Sequence, residues 1–197
     1  MSARIRRAPA YIALHKPYGV VSKFTDDAEE GHRTLAELVP VPNVYAVGRL
    51  DKDSEGLLIL TDDGALQHRV SHPKFEHEKT YWAQVEGLPT EEALRSLRSG
   101  VRVQDYMAKP ANARVLEPQP VVAPRDPPVR YRAQIPDCWV EITLTEGRNR
   151  QVRRMFASVG FPVLRLIRVA VSGVELGKLA TGEWRYLTAG ELLRLRG

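Results

Sequence analysis

In the stretch VYAVGRLDKDSEGLLILTDDG, residues 44–64, Arg49, Asp51, Lys52, Asp53 and Glu55 crowd one short connection, with Leu50 in their midst. Carboxylates this close invite a paired-carboxylate glycosidase reading. Spacing alone does not set the required separation, however, and neighbouring side chains in a strand–loop–strand connection diverge. The plain alternative is a charged surface loop. Ser54 lacks the glycines of a nucleophile elbow, and no Walker or dinucleotide glycine pattern occurs, so neither an NTPase nor a dehydrogenase is indicated.

A second group with chemical potential is EGRNRQVRRM, which gathers Arg148, Arg150, Arg153 and Arg154 around a predicted helix start. Helix N-termini favour anions, and the arginine fork matches phosphate oxygens. Arg150 and Arg154 point away from the apolar stripe and fit a solvated face. Arg153 borders the stripe and can turn inward, where it needs a carboxylate, and Asp51 is the natural candidate. His68 and His72 stand at helical i, i+4 spacing, but Pro73 follows and no third ligand is evident, so two solvated residues are expected rather than zinc. Cys138 is the only cysteine, which excludes an intrachain disulfide and a thiolate metal cluster.

These groups need a scaffold. Apolar runs Val44–Val47 and Leu57–Leu60 read as strands on either side of the charged connection. Tyr11–Leu14 predicts a first strand, KPYG at 16–19 a turn, and Val20–Phe24 a second strand. Thr34–Val39 predicts a short helix stopped by the prolines at 40 and 42, and Asp62 or Asp63 caps a helix reaching about Val70. KTYWAQVEG at 79–87 alternates as a strand. Thr90 caps a helix closed by Gly100. Short strands are expected at Val101–Val103, Ala113–Leu116 and Val129–Gln134, with a proline-rich exposed segment over 117–128. CWVEITLTEG at 138–147 is a strand. RNRQVRRMFASVG at 148–160 is a helix, with Val152, Met155, Phe156 and Val159 on one stripe and Gly160 at its end. Strands at Val163–Val169 and Trp184–Leu187 and a closing helix complete the series. Many strands and few helices without regular alternation argue for an α+β fold with a mixed, mostly antiparallel sheet.

The chain has 197 residues, 43% of them hydrophobic and 27% charged, enough for one substantial core. No apolar run approaches a transmembrane helix, and the basic start lacks the apolar middle of a secretory signal, so a cytoplasmic location is expected. A net charge of +5 is compatible with a polyanionic partner.

GRLDKDSEGLLILTDDG strongly resembles the catalytic motif of the ribosomal-type pseudouridine synthases. The resemblance continues through HKPYGVVSKF at 15–24, SHPKFEHEKTYWAQVEG at 71–87 and EGRNRQVRRMFASVGFPVLRLIRVAVSGV at 146–174. Four motifs in the family's order cover most of the chain. The resemblance implies two subdomains on one continuous sheet with a cleft between them, all within a single catalytic domain over 1–197. A basic tail over 1–9 and no S4-like leading domain, which many members carry, are expected.

It also implies roles. Asp51 would be the catalytic carboxylate, attacking the nucleotide or, in a related account, removing a ribose proton to give a glycal, before the base reattaches through C5. Arg153 would pair with it. Tyr81 would stack on the flipped uracil, the safer role beside help in removing the C5 proton. Arg49 matches the arginine that fills or props the vacated site in the RNA. Lys16, Lys79, Arg148, Arg150 and Arg154 are expected phosphate contacts, with Arg4, Arg6 and Arg7 aiding recruitment. The implied partner is bacterial 23S ribosomal RNA or a large-subunit precursor, bound by a monomer without metal or organic cofactor. The rival reading is a non-catalytic RNA-binding or ribosome-assembly protein that keeps the fold.

Overall fold

Residues 57–60, Leu-Leu-Ile-Leu, are apolar at every position, the pattern of a strand covered on both faces. They lie within Glu55–Thr61, a strand whose every residue is buried. The computed structural model of the chain describes residues 7–25, 31–129 and 135–197. All but the first residue of the strand expected over 129–134, together with Arg4 and Arg6, lies outside these.

In chain order the elements are β1 (Tyr11–Lys16), β2 (Tyr45–Ala46), β3 (Glu55–Thr61), α1 (Gly64–Ser71), β4 (Lys79–Glu86), α2 (Glu91–Ser99), β5 (Arg102–Val103), β6 (Tyr106–Met107), β7 (Asn112–Val115), β8 (Asp137–Leu144), α3 (Gln151–Ser158), β9 (Val163–Val171), β10 (Val174–Glu175), β11 (Trp184–Tyr186) and α4 (Ala189–Arg196). The architecture is α+β. The main sheet runs β11-β1-β3-β9-β4-β8-β7, with β10 beside β9 and β2 beside β3, while β5 and β6 form a separate ribbon. All main-sheet pairings are antiparallel except one. At the seam between the two half-sheets β3 meets β9 in parallel, with Glu55 opposite Ile167 and Gly56 opposite Arg168.

The seam explains one glycine. Gly56 sits at φ +104°, and a Cβ there would lie 2.3 Å from the Arg168 carbonyl oxygen and 2.6 Å from its nitrogen. Only a residue without a side chain lets the strands approach this closely.

Three apolar clusters hold the layers. Ile12, Leu14, Leu58 and Leu60 pack with Leu35, Val39 and Leu50 on one face of the first half-sheet. Ala13, Leu57 and Ile59 face the other way, with Leu66 and Val70 of α1 and Leu195 of α4. In the second half-sheet, Ala83, Val85, Val140 and Ile142 pack on Leu94 and Leu97 of α2 and Met155 and Phe156 of α3. Helix starts follow capping chemistry. The Asp63 carboxylate accepts from the Ala65 and Leu66 N–H groups, and the Thr90 hydroxyl accepts from Ala93 N–H.

Two expectations are corrected. Val20–Phe24 is not a strand but a single bridge from Val20 to Arg33. The chain bends there so that Ser22 faces Leu50, which it both donates to and accepts from. The helix predicted from residue 148 begins at Gln151. Arg150 takes a left-handed conformation, φ +51°, and the Gln151 side chain accepts from Arg148 N–H, so residues 148–150 form a loop.

Candidate active site

Asp51 is carried at the mouth of a cleft of about 430 Å³. Fixed points surround it in sequence. Leu50 is buried in the core beneath, with the Ser22 hydroxyl donating to its carbonyl at 2.7 Å. Gly19 N–H donates to the Lys52 carbonyl at 2.8 Å, and Ser54 N–H turns back onto the Asp51 carbonyl at 3.0 Å. The Asp51 side chain is about a third exposed. A charged loop held this firmly is a positioned one, not a solvated connection.

The cleft lies over the seam and draws on both half-sheets. Arg49, Asp51 and Ser54 line it from the first, and Lys79, Tyr81, Arg148, Arg150 and Arg168 from the second. Tyr81 stands opposite Arg168 across β4 and β9, next to a register shift between Thr80 and Tyr81, the kind of irregularity that re-aims a side chain. Lys79 donates to the His77 carbonyl at 2.8 Å. Burial, reinforced by the charge of Arg168, lowers its ammonium to about 8.

The arginine–carboxylate contacts differ from those expected. Arg153, with a side chain 13% exposed, turns inward. It does not pair with Asp51. It donates to the Asp53 main-chain carbonyl at 2.7 Å and to the Val163 carbonyl at 3.1 Å, and its Nε lies 3.4 Å from the Asp53 carboxylate. Among the described residues, the cation paired with Asp51 is Arg150, 3.8 Å away. Arg150 also grips Asp53 with both terminal nitrogens, at 2.9 and 2.8 Å. Burial alone would push the Asp53 carboxyl up. The hydrogen bonds from Arg150 and the charges of Arg153 and Arg150 outweigh it and hold the group below its ordinary value. Helix α3 starts at Gln151, so Arg150 stands before it in the left-handed conformation and not on the helix face.

Other expected phosphate contacts divide. Arg49 and Arg148 are exposed at the rim, with the Arg148 guanidinium 4.3 Å above the Tyr106 ring. Arg154 donates to the Asn149 side chain at 2.9 Å and does not line the cleft. Lys16 is fully buried and donates to the Pro17 and Val20 carbonyls. Burial lowers its ammonium to about 8, against the opposing pull of Glu55 and Asp53. It is a brace under the turn at 17–20, not a phosphate contact.

Sequence reasoning missed Arg168 and the partner of Arg165. Arg168 is buried, its Nε donating to the Leu57 carbonyl at 2.8 Å, and it lines the cleft. Arg165 makes a two-pronged ion pair with Glu55, at 2.8 and 2.7 Å, and donates to the Ala123 carbonyl. The signal was present in the pattern LRLIRVAV, since charged residues inside an apolar strand must find buried partners. Among the described residues no group of three or more His, Cys, Asp or Glu could hold a metal ion. No helix there is long and apolar enough to cross a membrane.

With this geometry in view, comparison with known proteins is specific. The family model for RNA pseudouridylate synthase matches residues 10–158. The chain belongs to this family. It is an RNA pseudouridine synthase, an isomerase. Its relatives include the ribosomal large subunit pseudouridine synthase E of Xanthomonas axonopodis pv. citri, 57% identical over 169 residues that cover 86% of this chain and 89% of the relative. The protein of that name from Vibrio vulnificus is 51% identical, over 90% of this chain and 74% of its own length. A crystal structure of a pseudouridylate synthase superposes with a TM-score of 0.79 at 31% identity, covering 97% of this synthase and 75% of that chain.

Proposed function

We propose that this synthase converts a specific uridine of bacterial large-subunit ribosomal RNA to pseudouridine, with the Asp51 carboxylate as the attacking group. The substrate class rests on the names of the relatives. The chemistry rests on one observation: Asp51 is held at the mouth of the cleft by a buried neighbour and a backbone turn, in a pocket that it shares with Tyr81.

A uridine within folded RNA hides its glycosidic bond in the stack, so the nucleotide must be extruded, at an unstacking cost of a few kcal/mol. The cleft volume of about 430 Å³ falls in the range of ligand sites. Tyr81 offers a ring face to the base. Arg49 at the rim takes up the place that the base leaves, and Lys79, Arg148 and Arg150 meet phosphates. The ionised Asp51 attacks ribose C1′, forming an O–C1′ ester as the bond to uracil N1 breaks. The base turns, C5 bonds to C1′ and displaces the Asp51 carboxylate, N1 regains a proton, and the C5 proton leaves to solvent. No atoms or electrons are gained or lost, so the protein's own groups suffice. A ribosomal RNA substrate supports a bacterial cytoplasmic location for the synthase.

The test is tritium release from ribosomal RNA labelled at uridine C5, comparing wild type with Asp51→Asn, alongside RNA binding by both. Release by wild type alone, with equal binding, is expected. Residual turnover by Asp51→Asn would remove Asp51 from its role. Binding without release or free uracil from either protein would favour a non-catalytic RNA-binding protein.

A further inference from the structure

Strand β9 brings two arginines into the core, and only one of them meets a counter-charge. Arg165 is gripped by both carboxylate oxygens of Glu55. Arg168 is 3% exposed and commits its Nε to the Leu57 carbonyl at 2.8 Å. Among the described residues no carboxylate pairs with it and no acceptor meets its terminal nitrogens. Those nitrogens are not sealed in the core, and the residue lines the cleft. Lys79 lines the same cleft, likewise without a carboxylate among the described residues, and donates once, to the His77 carbonyl. Its ammonium is held down to about 8 by burial and then by the charge of Arg168, so the two cations feel each other. The carboxylates nearby are engaged elsewhere: Glu55 with Arg165 and Asp53 with Arg150, while Asp51 lies 3.8 Å from Arg150. Cations this deep are costly to leave uncompensated.

Tyr81 faces Arg168 across β4 and β9, so the two side chains leave the sheet on one face. Lys79 stands two residues before Tyr81 on the same strand. A base stacked on Tyr81 thus brings its own sugar and phosphate beside both cations. Resting on the reading of the cleft as the uridine site, we propose that Arg168 and Lys79 bind the phosphate carried by the extruded uridine. The guanidinium fork matches two phosphate oxygens, and the ammonium supplies a point charge beside it. Arg49 and Arg148 at the exposed rim meet RNA through charges that salt screens, whereas Arg168 acts where screening is weak. Its Nε is tied to Leu57 of β3, the strand that follows the loop bearing Asp51. The phosphate is therefore held in register with the attacking carboxylate. A contact to a uracil carbonyl instead would leave both cations without the negative charge that they lack.

The experiment measures dissociation constants of uridine, uridine 5′-monophosphate and uridine 3′-monophosphate by amide NMR titration of the isotope-labelled protein, for wild type, Arg168→Gln and Lys79→Gln. One monophosphate is expected to bind wild type at least about tenfold more tightly than uridine. Arg168→Gln should cut that preference to about twofold or less, and Lys79→Gln to about threefold, with uridine itself bound as before. Monophosphates no tighter than uridine on wild type, or a preference that survives Arg168→Gln, overturn the proposal. So does an equal loss of uridine and monophosphate binding, the mark of a uracil contact. The amide spectrum itself reports folding. If Arg168→Gln does not fold, Arg168→Lys keeps the charge without the fork and should retain only part of the preference. A preference unchanged in both Arg168→Lys and Lys79→Gln then overturns the proposal. Uridine that shifts no cleft amide removes the reading of the cleft itself, whereas bound uridine without a phosphate preference refutes only this phosphate site.

Discussion

Removing the Arg165 cation while leaving Glu55 in place should destabilise this synthase severely. Glu55 is the first residue of β3, directly after the loop that carries Asp51, and its side chain is 2% exposed; that of Arg165 is 7% exposed. Both carboxylate oxygens accept from Arg165, at 2.8 and 2.7 Å. Lys16 lies near enough for its charge to feel Glu55 but donates elsewhere. Arg165→Met therefore strands a buried carboxylate, which costs about 3–5 kcal/mol. Total stability of a domain is typically about 5–15 kcal/mol. With a urea m-value of about 2 kcal/mol/M, the unfolding midpoint should drop by about 2 M at unchanged slope. Replacing both partners, Glu55→Leu with Arg165→Met, removes the charge as well and should return stability to within about 1 kcal/mol of wild type. A single variant costing less than about 1 kcal/mol, or a double variant as damaged as the single, would refute the reasoning.

Gly56→Ala places a methyl 2.3 Å from the Arg168 carbonyl oxygen at φ +104°; a loss of at least about 3 kcal/mol in urea unfolding is expected, and a stable variant would show that the seam can open. Arg148→Gln should flatten the log–log salt dependence of RNA binding by about 0.7, measured by filter retention; an unchanged slope would remove Arg148 from the phosphate-binding surface. Glu191 caps α4 and is gripped by Arg185, whose hydrogen bonds, helped by those from Thr188, outweigh burial and lower its carboxyl to about 2. Because the folded value lies below the ordinary 4.5, its stabilisation is full above that value and vanishes as pH falls through about 2. Glu191→Gln should therefore lose stability at neutral pH and converge with wild type in strong acid. A constant difference across that window would deny the shift.

Much of the scaffold could be read from side-chain order. Leu57–Leu60 announced a doubly covered strand, Thr90 and Gly100 bracketed α2, and KTYWAQVEG marked β4. The site was half legible. Asp51, Tyr81, Arg49, Lys79 and the arginine cluster could be named, because their motif order resembles a known family. Their pairing could not. The Arg153 guanidinium is taken up by the main-chain carbonyls of Asp53 and Val163, and no residue pattern announces a contact to the backbone of a loop 100 positions away. Lys16 misled because a lysine in a turn is normally solvated; here two carbonyls of the same turn wrap its ammonium. Val20–Phe24 misled because β-branched spacing says nothing about Ser22 being needed to clamp Leu50.

The parallel seam also sets a schedule for synthesis. Asp51 sits beside β3, whereas Tyr81 and Arg150 belong to the half-sheet built around β4 and β8. Among the described residues only β9 joins the halves within the sheet, and its first residue is Val163. The ion pair that locks this junction joins residues 110 positions apart, and β1 waits longer still for β11. Closures spanning such separations come late and slowly. A ribosome making this protein must emit most of the chain before its cleft exists. A product ending after α3 would carry Asp51, Tyr81 and Arg150, with no strand to dock one half against the other.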